Sequence, residues 1–146
     1  MRKTAHVYGA ISLEDAPRFT HQFADVFNGH TFHVFLQELV QQHAGRKVFL
    51  VIDNGPCHWL DDPGKAWLSE NSDKIELHRL PPYSPEFNPM EGVWKTTKRV
   101  TTHNRFFHTT DERDDALRTT FGTFRADPSL IAGQVARFLG DDRPSL

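Results

Sequence analysis

The stretch that decides the fold is residues 47–53, KVFLVID, a continuous apolar run that ends in an acid. A run of this length and composition is typical of a β-strand buried on both faces, as in the middle of an α/β sheet. Turn-forming residues follow at 54–56. We therefore predict a strand with Asp53 at its carboxyl end, the position at which open α/β sheets bind their ligands.

Upstream of this strand the sequence predicts a hairpin and a helix. Short runs of β-branched and aromatic residues predict two strands, near 4–12 and 18–27. Apolar residues at helical spacing between Phe32 and Val40 predict an amphipathic helix, with Gly45 just past its end. Residues 28–31, NGHT, offer its turn and cap.

Downstream, a strand–helix–strand unit is completed and further helices follow. Four prolines within residues 80–89 predict a rigid loop, after which Asn88 is expected to cap a helix that starts at Pro89. Asp127 and Pro128 predict another helix start of the same kind. The remaining predicted elements are a helix near 59–71, a strand over 74–80, and helices over about 90–99, 112–125 and 128–140. The order predicts an α/β fold with a mixed sheet.

Composition limits the classes of protein. The 146 residues suit one domain, and a formal charge of −2 gives no global positive field for nucleic acid. The longest apolar run, residues 48–52, is far shorter than the roughly 20 residues that span a bilayer. The N-terminus lacks an apolar signal core, so a cytoplasmic protein without membrane contact is expected. Cys57 is the single cysteine, which excludes an intramolecular disulfide.

Two acids could carry chemistry. Asp53 ends the apolar strand, and Glu91 lies in the first turn of a helix that follows the proline-rich loop. Each has an ordinary alternative, since Asp53 could cap a turn and Glu91 could simply favour the helix dipole. Together, two carboxylates fit a site for Mg²⁺ or Mn²⁺.

Two motifs resemble those of a known enzyme family. Residues 48–58, VFLVIDNGPCH, resemble the second catalytic-Asp motif of DDE transposases of the Tc/mariner superfamily, in its bacterial insertion-sequence branch. Residues 80–94, LPPYSPEFNPMEGVW, resemble the third motif of the same family, with Met90 where isoleucine is usual. The likeness covers about residues 4–125 and implies an RNase H-like fold.

The resemblance implies roles for individual residues. Asp53 corresponds to the second metal-binding acid and Glu91 to the third. The implied cofactor is a pair of Mg²⁺ ions, or Mn²⁺, that activate water or a DNA 3′-hydroxyl and stabilise the leaving oxygen. Asn54, His58 and Trp94 match family positions that we interpret as supporting residues.

The first catalytic acid of the family has no counterpart, because the segment before Val7, MRKTAH, contains none. The resemblance therefore predicts a single partial catalytic domain over 1–146, with C-terminal helices at about 112–140. Its RNase H-like mixed sheet, flanked by helices, would lack the first, central strand. The edge of the Asp53 strand would then be unpaired, which leaves a homodimer open.

Residues 92–110 contain four basic residues and no acid. On a regular helix Lys95, Lys98 and Arg99 would share one face, which could contact DNA phosphates or could be an ordinary solvated face. The family implies transposon ends and target DNA as partners.

Three functions stay open on the sequence. The first is a transposase catalytic-domain fragment in the bacterial cytoplasm, associated with the nucleoid, that cleaves and transfers DNA strands with metal ions. Because an acid is missing, we expect little activity from this chain alone. The second is a non-catalytic remnant that binds DNA or protein, and the third is an unrelated metal hydrolase that uses the same acids. A third carboxylate near Asp53 and Glu91 would favour catalysis.

Overall fold

A computed structural model describes residues 5–53, 55, 58–82, 85–102 and 105–139. These residues form four strands and five α-helices. In chain order they are β1 (His6–Ile11), β2 (Phe19–Ala24), α1 (Gly29–Gln42), β3 (Val48–Ile52), α2 (Asp62–Glu70), β4 (Ile75–Arg79), α3 (Met90–Thr97), α4 (Thr110–Ala126) and α5 (Ser129–Ala136). Within the described part of the chain, no helix has the length and apolar character needed to cross a membrane.

The chain divides into two compact units. The Asp53 unit comprises His6–Tyr8 and Gln22–Asn88, and the Glu91 unit comprises Met1–Ala5, Gly9–His21 and Pro89–Leu146. The described strands form two pairs, β1 with β2 and β3 with β4. The predicted mixed α/β class is confirmed, and the small sheets with five α-helices are consistent with part of an RNase H-like fold.

In the Asp53 unit, helix α1 forms as predicted. Asn28 caps it, since its side chain accepts a hydrogen bond from the Thr31 amide while the Thr31 hydroxyl accepts one from the Asn28 amide. The helix buries an apolar stripe made of Phe32, Phe35, Leu36 and Leu39. The helical spacing in the sequence therefore identified the face that packs.

Strand β3 is parallel to β4, and Ile52 is paired with Arg79 at the end of the ladder. The prediction that β3 is buried on both faces is wrong. Ile52 is buried, but Phe49 is 62% exposed and Val51 48% exposed. Alternate residues of a strand point to opposite faces, and only the face that carries Ile52 packs into a core.

Most predicted elements of the Asp53 unit and the hairpin are shorter in the structure. The strand predicted over 47–53 ends at Ile52, so Asp53 lies just beyond it. The helix predicted near 59–71 starts only at Asp62, because the Asp61 side chain accepts a hydrogen bond from the Gly64 amide and caps it there. The hairpin strands are also shorter than 4–12 and 18–27, and Thr4 lies outside the described residues.

In the Glu91 unit, the first proline-initiated helix begins at Met90, the start of its predicted range, and the second begins at Ser129, one residue later than predicted. Pro89 and Pro128 occupy the N-cap positions with helical dihedral angles, and neither helix has a side-chain cap on its N-cap residue. The N-cap residue of the first helix is therefore Pro89 and not the predicted Asn88. Asp127 still acts at the second helix, where its carboxylate accepts a hydrogen bond from the Ser129 amide at 3.2 Å.

The helix predicted over 90–99 is also interrupted. Regular α-helix ends at Thr97, and a π-helical turn continues over Lys98–Thr102. Thr101 in this turn is buried, and its hydroxyl contacts the Thr120 hydroxyl of α4 at 2.5 Å. The wider turn directs Thr101 toward its partner, a constraint that is invisible in the periodicity of the sequence.

Thr101→Val should destabilise the protein by about 1–3 kcal/mol, because it leaves the buried Thr120 hydroxyl without its partner. The double variant with Thr120→Val should recover most of this loss, since both hydroxyls are then gone. Urea unfolding measures the free energies. Exposed Thr123→Val is the matched control and should change stability by less than about 0.5 kcal/mol. If the losses of stability in the two single variants simply added in the double variant, the hydrogen bond between Thr101 and Thr120 would be contradicted.

Candidate active site

Asp53 directly follows the last residue of β3, and its side chain is 46% exposed. One carboxylate oxygen, Oδ1, accepts a hydrogen bond from the Gly55 amide at 2.8 Å. The same oxygen lies 2.7 Å from Nδ1 of His58, which donates to the ionised carboxylate. Among the described residues no hydrogen bond reaches Oδ2, so this oxygen keeps its full capacity to accept.

The core of the Asp53 unit sets the position of His58. Its ring lies 5.2 Å from the ring of Phe32 and 6.4 Å from that of Tyr8, measured between centroids. The Tyr8 hydroxyl is in turn 2.9 Å from the Thr31 hydroxyl at the start of α1. The His58 donor is thus packed against the aromatic core, and it orients the carboxylate from there.

Sequence reasoning missed Arg79, the last residue of β4. Its NH2 group donates a hydrogen bond to the His58 carbonyl at 2.7 Å, and its guanidinium carbon lies 3.7 Å from the ring centroid of Trp59. A signal was present, since Arg79 shares the period-two register of Ile75 and Leu77 and is therefore a charge on the inward face.

These contacts determine the charge of Asp53. Burial raises the pKa of the Asp53 carboxyl, but the hydrogen bonds from Gly55 and His58 and the charge of Arg79 outweigh it and hold the pKa below its usual value. Burial lowers the pKa of Arg79, and Asp53 opposes this effect. At neutral pH the site therefore carries a carboxylate beside a guanidinium.

Glu91 belongs to the Glu91 unit, where it is exposed in the first turn of α3. Trp94, on the same helix, packs against Gly9 of β1, where an added Cβ would come within 2.6 Å of the indole. Trp94 also meets the ring of Phe121 edge-on, at 6.2 Å. Its observed contacts are those of a packing residue. Asn54, the other predicted supporting residue, lies outside the described residues.

The three predicted DNA-contacting residues are all exposed. Lys95 lies in the last turn of α3, whereas Lys98 and Arg99 lie in the π-helical turn. The prediction of one regular helical face is therefore wrong, because the α-helix ends between them. Their charges nevertheless remain available to solvent.

The chemistry of the acids fits a hard divalent cation. Asp53 is ionised and half exposed with Oδ2 open, and Glu91 is an exposed carboxylate. Oxygen donors of this kind suit Mg²⁺ and Mn²⁺. In the ranges that the structure covers, however, no three His, Cys, Asp or Glu side chains are grouped to hold a metal ion.

Comparison with protein families agrees with the motifs. Residues 1–113 match the family described as DDE superfamily endonuclease. The match covers most of the chain, so the protein belongs to the DDE superfamily endonucleases. A search of curated proteins found no match. The family implies a nuclease that acts on DNA and uses divalent metal ions.

Replacing His58 should raise the pKa of Asp53, because the variant His58→Leu removes a donor to the carboxylate while burial remains. A pH titration followed by carbon-13 NMR of the side-chain carboxyl measures it. His78→Leu is the matched control, since His78 makes the same 2.7 Å contact with another carboxylate, Glu76. An Asp53 pKa that is the same in the wild-type protein and in His58→Leu would contradict the proposed contact.

Proposed function

We propose that this protein belongs to the catalytic domain of a transposase of the Tc/mariner superfamily, from its bacterial insertion-sequence branch, which cleaves and transfers DNA strands when its full set of acids is assembled. Asp53 and Glu91 would be two of its metal-binding carboxylates. The bound ions would supply the activation of the attacking oxygen and the stabilisation of the leaving oxygen. The chain's own residues would hold the carboxylates in their ionised form and position the DNA.

The observation that carries this proposal is the fixed geometry of Asp53. An ordinary turn cap would need only the Gly55 amide, which is two residues away. Here a second donor comes from His58, whose ring is packed into the aromatic core, and Arg79 binds the His58 carbonyl from another strand. This support is expected where the orientation of a ligand matters.

Removing either carboxylate should weaken Mn²⁺ binding. Changes in outer-shell partners alone cost about 10–100-fold in metal affinity, so we expect at least about tenfold for Asp53→Asn and for Glu91→Gln. Titration followed by electron paramagnetic resonance of free Mn²⁺ measures the affinity. Glu76→Gln is the matched control, because Glu76 is an exposed carboxylate of the same unit, on β4, and lies 3.7 Å from Lys47. Unchanged affinity in both site variants would overturn the proposed metal ligands.

Nicking of supercoiled plasmid with Mg²⁺ or Mn²⁺ provides a catalytic readout for the same variants. We expect the chain alone to stay near background, since only two of the family's three acids are matched. Activity that both Asp53→Asn and Glu91→Gln abolish would contradict this expectation and point to a third acid. Absence of both nicking and site-dependent Mn²⁺ binding would favour the non-catalytic, DNA-binding alternative.

Binding of duplex DNA by the exposed Lys95, Lys98 and Arg99 should be weak, indifferent to sequence and strongly dependent on salt. Three phosphate contacts predict a slope of about −2.7 in a plot of log affinity against log salt concentration. Each Lys→Gln substitution should reduce that slope by about 1. Lys65→Gln, an exposed lysine of α2, is the control. Sequence-selective binding that is insensitive to salt would contradict this assignment. Fluorescence anisotropy at several salt concentrations measures the affinity for DNA and its salt dependence.

A further inference from the structure

Trp59 and Arg79 form a stacked pair beside Asp53. Trp59 follows His58 in the sequence and is 52% exposed, which is unusual for a large aromatic side chain. The guanidinium carbon of Arg79 lies 3.7 Å from its ring centroid, closer than the 5.1 Å that separates Lys47 from the ring of Phe49. One side of the indole is covered by a cation, and much of the rest faces solvent.

The Arg79 side chain is held in place rather than free. Its NH2 group is bound to the His58 carbonyl at 2.7 Å, which fixes the plane of the guanidinium against the indole. Its NH1 group is buried and has no hydrogen-bond partner among the described residues. The positive charge of the guanidinium is therefore not neutralised by a hydrogen-bonded carboxylate among the described residues, and it remains to attract a nearby phosphate.

We propose that Trp59 and Arg79 form a nucleotide-binding platform for single-stranded DNA. The base of an unpaired nucleotide stacks on the open side of the Trp59 indole, and the neighbouring phosphate is attracted to the Arg79 guanidinium. Exposed aromatic rings and adjacent cations bind single strands in this way with little dependence on sequence. The inference rests on the proposed function in one respect, namely that DNA strands are brought to Asp53.

A second exposed aromatic–cation pair on the same sheet provides a comparison. Phe49 is 62% exposed, and Lys47 lies near its ring. Lys47, however, is already paired with Glu76 at 3.7 Å. Phe49 is also on the opposite face of β3 from Ile52, the partner of Arg79. Lys47 is thus neutralised by Glu76, and Phe49 lies on the other face of β3 from Ile52. Both facts favour Trp59 and Arg79 as the platform.

The test is fluorescence anisotropy with a labelled oligothymidylate and the full chain, in EDTA so that metal ions make no contribution. Loss of one stacked base predicts at least about fivefold weaker binding for Trp59→Leu. Arg79→Lys keeps the charge but loses the planar group, and it should weaken binding less than Arg79→Gln. Phe49→Leu should bind as the wild-type protein does. Wild-type affinity in Trp59→Leu would overturn the platform.

A conservative variant protects the test against misfolding. Trp59→Phe keeps an aromatic ring, and Trp67 and Trp94 remain as fluorophores. If Trp59 stacks on a base, oligothymidylate should quench the tryptophan fluorescence of the wild-type protein. This quenching should be largely lost in Trp59→Phe. The affinity of Trp59→Phe for oligothymidylate should stay within a few-fold of the wild-type affinity, about the low end of a stacking contribution. Quenching that persists in Trp59→Phe would overturn the proposal.

The Mn²⁺ titration separates this inference from the proposed function. If Asp53→Asn weakens Mn²⁺ binding while Trp59→Leu binds oligothymidylate normally, the platform is wrong and the metal ligands stand. If Trp59→Leu loses oligothymidylate binding while Asp53→Asn binds Mn²⁺ normally, the platform stands and the metal ligands are wrong.

Discussion

The two hydrogen bonds accepted by Oδ1 of Asp53 are the constraint on which the rest of the site depends. They connect the end of β3 to the Gly55 amide and to the His58 ring. Because that ring also packs against Phe32 of α1, the orientation of an exposed carboxylate is set by the core of its unit. Arg79 secures the same segment from β4 by binding the His58 carbonyl. A carboxylate held by two donors, one of which is itself packed against the core, loses little further entropy when it binds a ligand.

Local signals in the sequence predicted the helices and strands well. They could not predict which faces of those elements are covered by other elements of the fold. The Asn28 cap and the apolar stripe of α1 depend on residues within a few turns, and both were correct. The exposure of Phe49 was not foreseen, because an apolar run is the same whether or not another layer covers that face of the strand. The π-helical turn was missed for a related reason. It accompanies a contact between Thr101 and Thr120, which are 19 residues apart.

The same distinction applies to the candidate site. Motif resemblance led to Asp53 and His58, which are five residues apart, and the structure brings them into contact. Arg79 and the carbonyl that it binds are 21 residues apart, and neither motif includes Arg79. Arg79 lies on the same face of β4 as Ile75 and Leu77, which was a usable signal in the sequence. A single charged residue on an inward face does not, however, identify the group that it binds. Contacts between elements fix such a partner, whereas spacing along the chain does not.

The charges around Asp53 explain why this acid would not suffice as a metal site. The Asp53 carboxylate is ionised, so binding a cation there requires no loss of a proton at neutral pH. Arg79, however, places a positive charge close enough to lower the pKa of Asp53, and the same charge repels a divalent cation. The pair is nearly neutral as a whole. Under the proposed function, further carboxylates are needed to make the site attractive to Mg²⁺, and Glu91 is the one that we propose for that role. The guanidinium of Arg79 also attracts the phosphates of DNA. Further carboxylates and the bound DNA would add negative charge beside Asp53, and only then would the site attract a divalent cation.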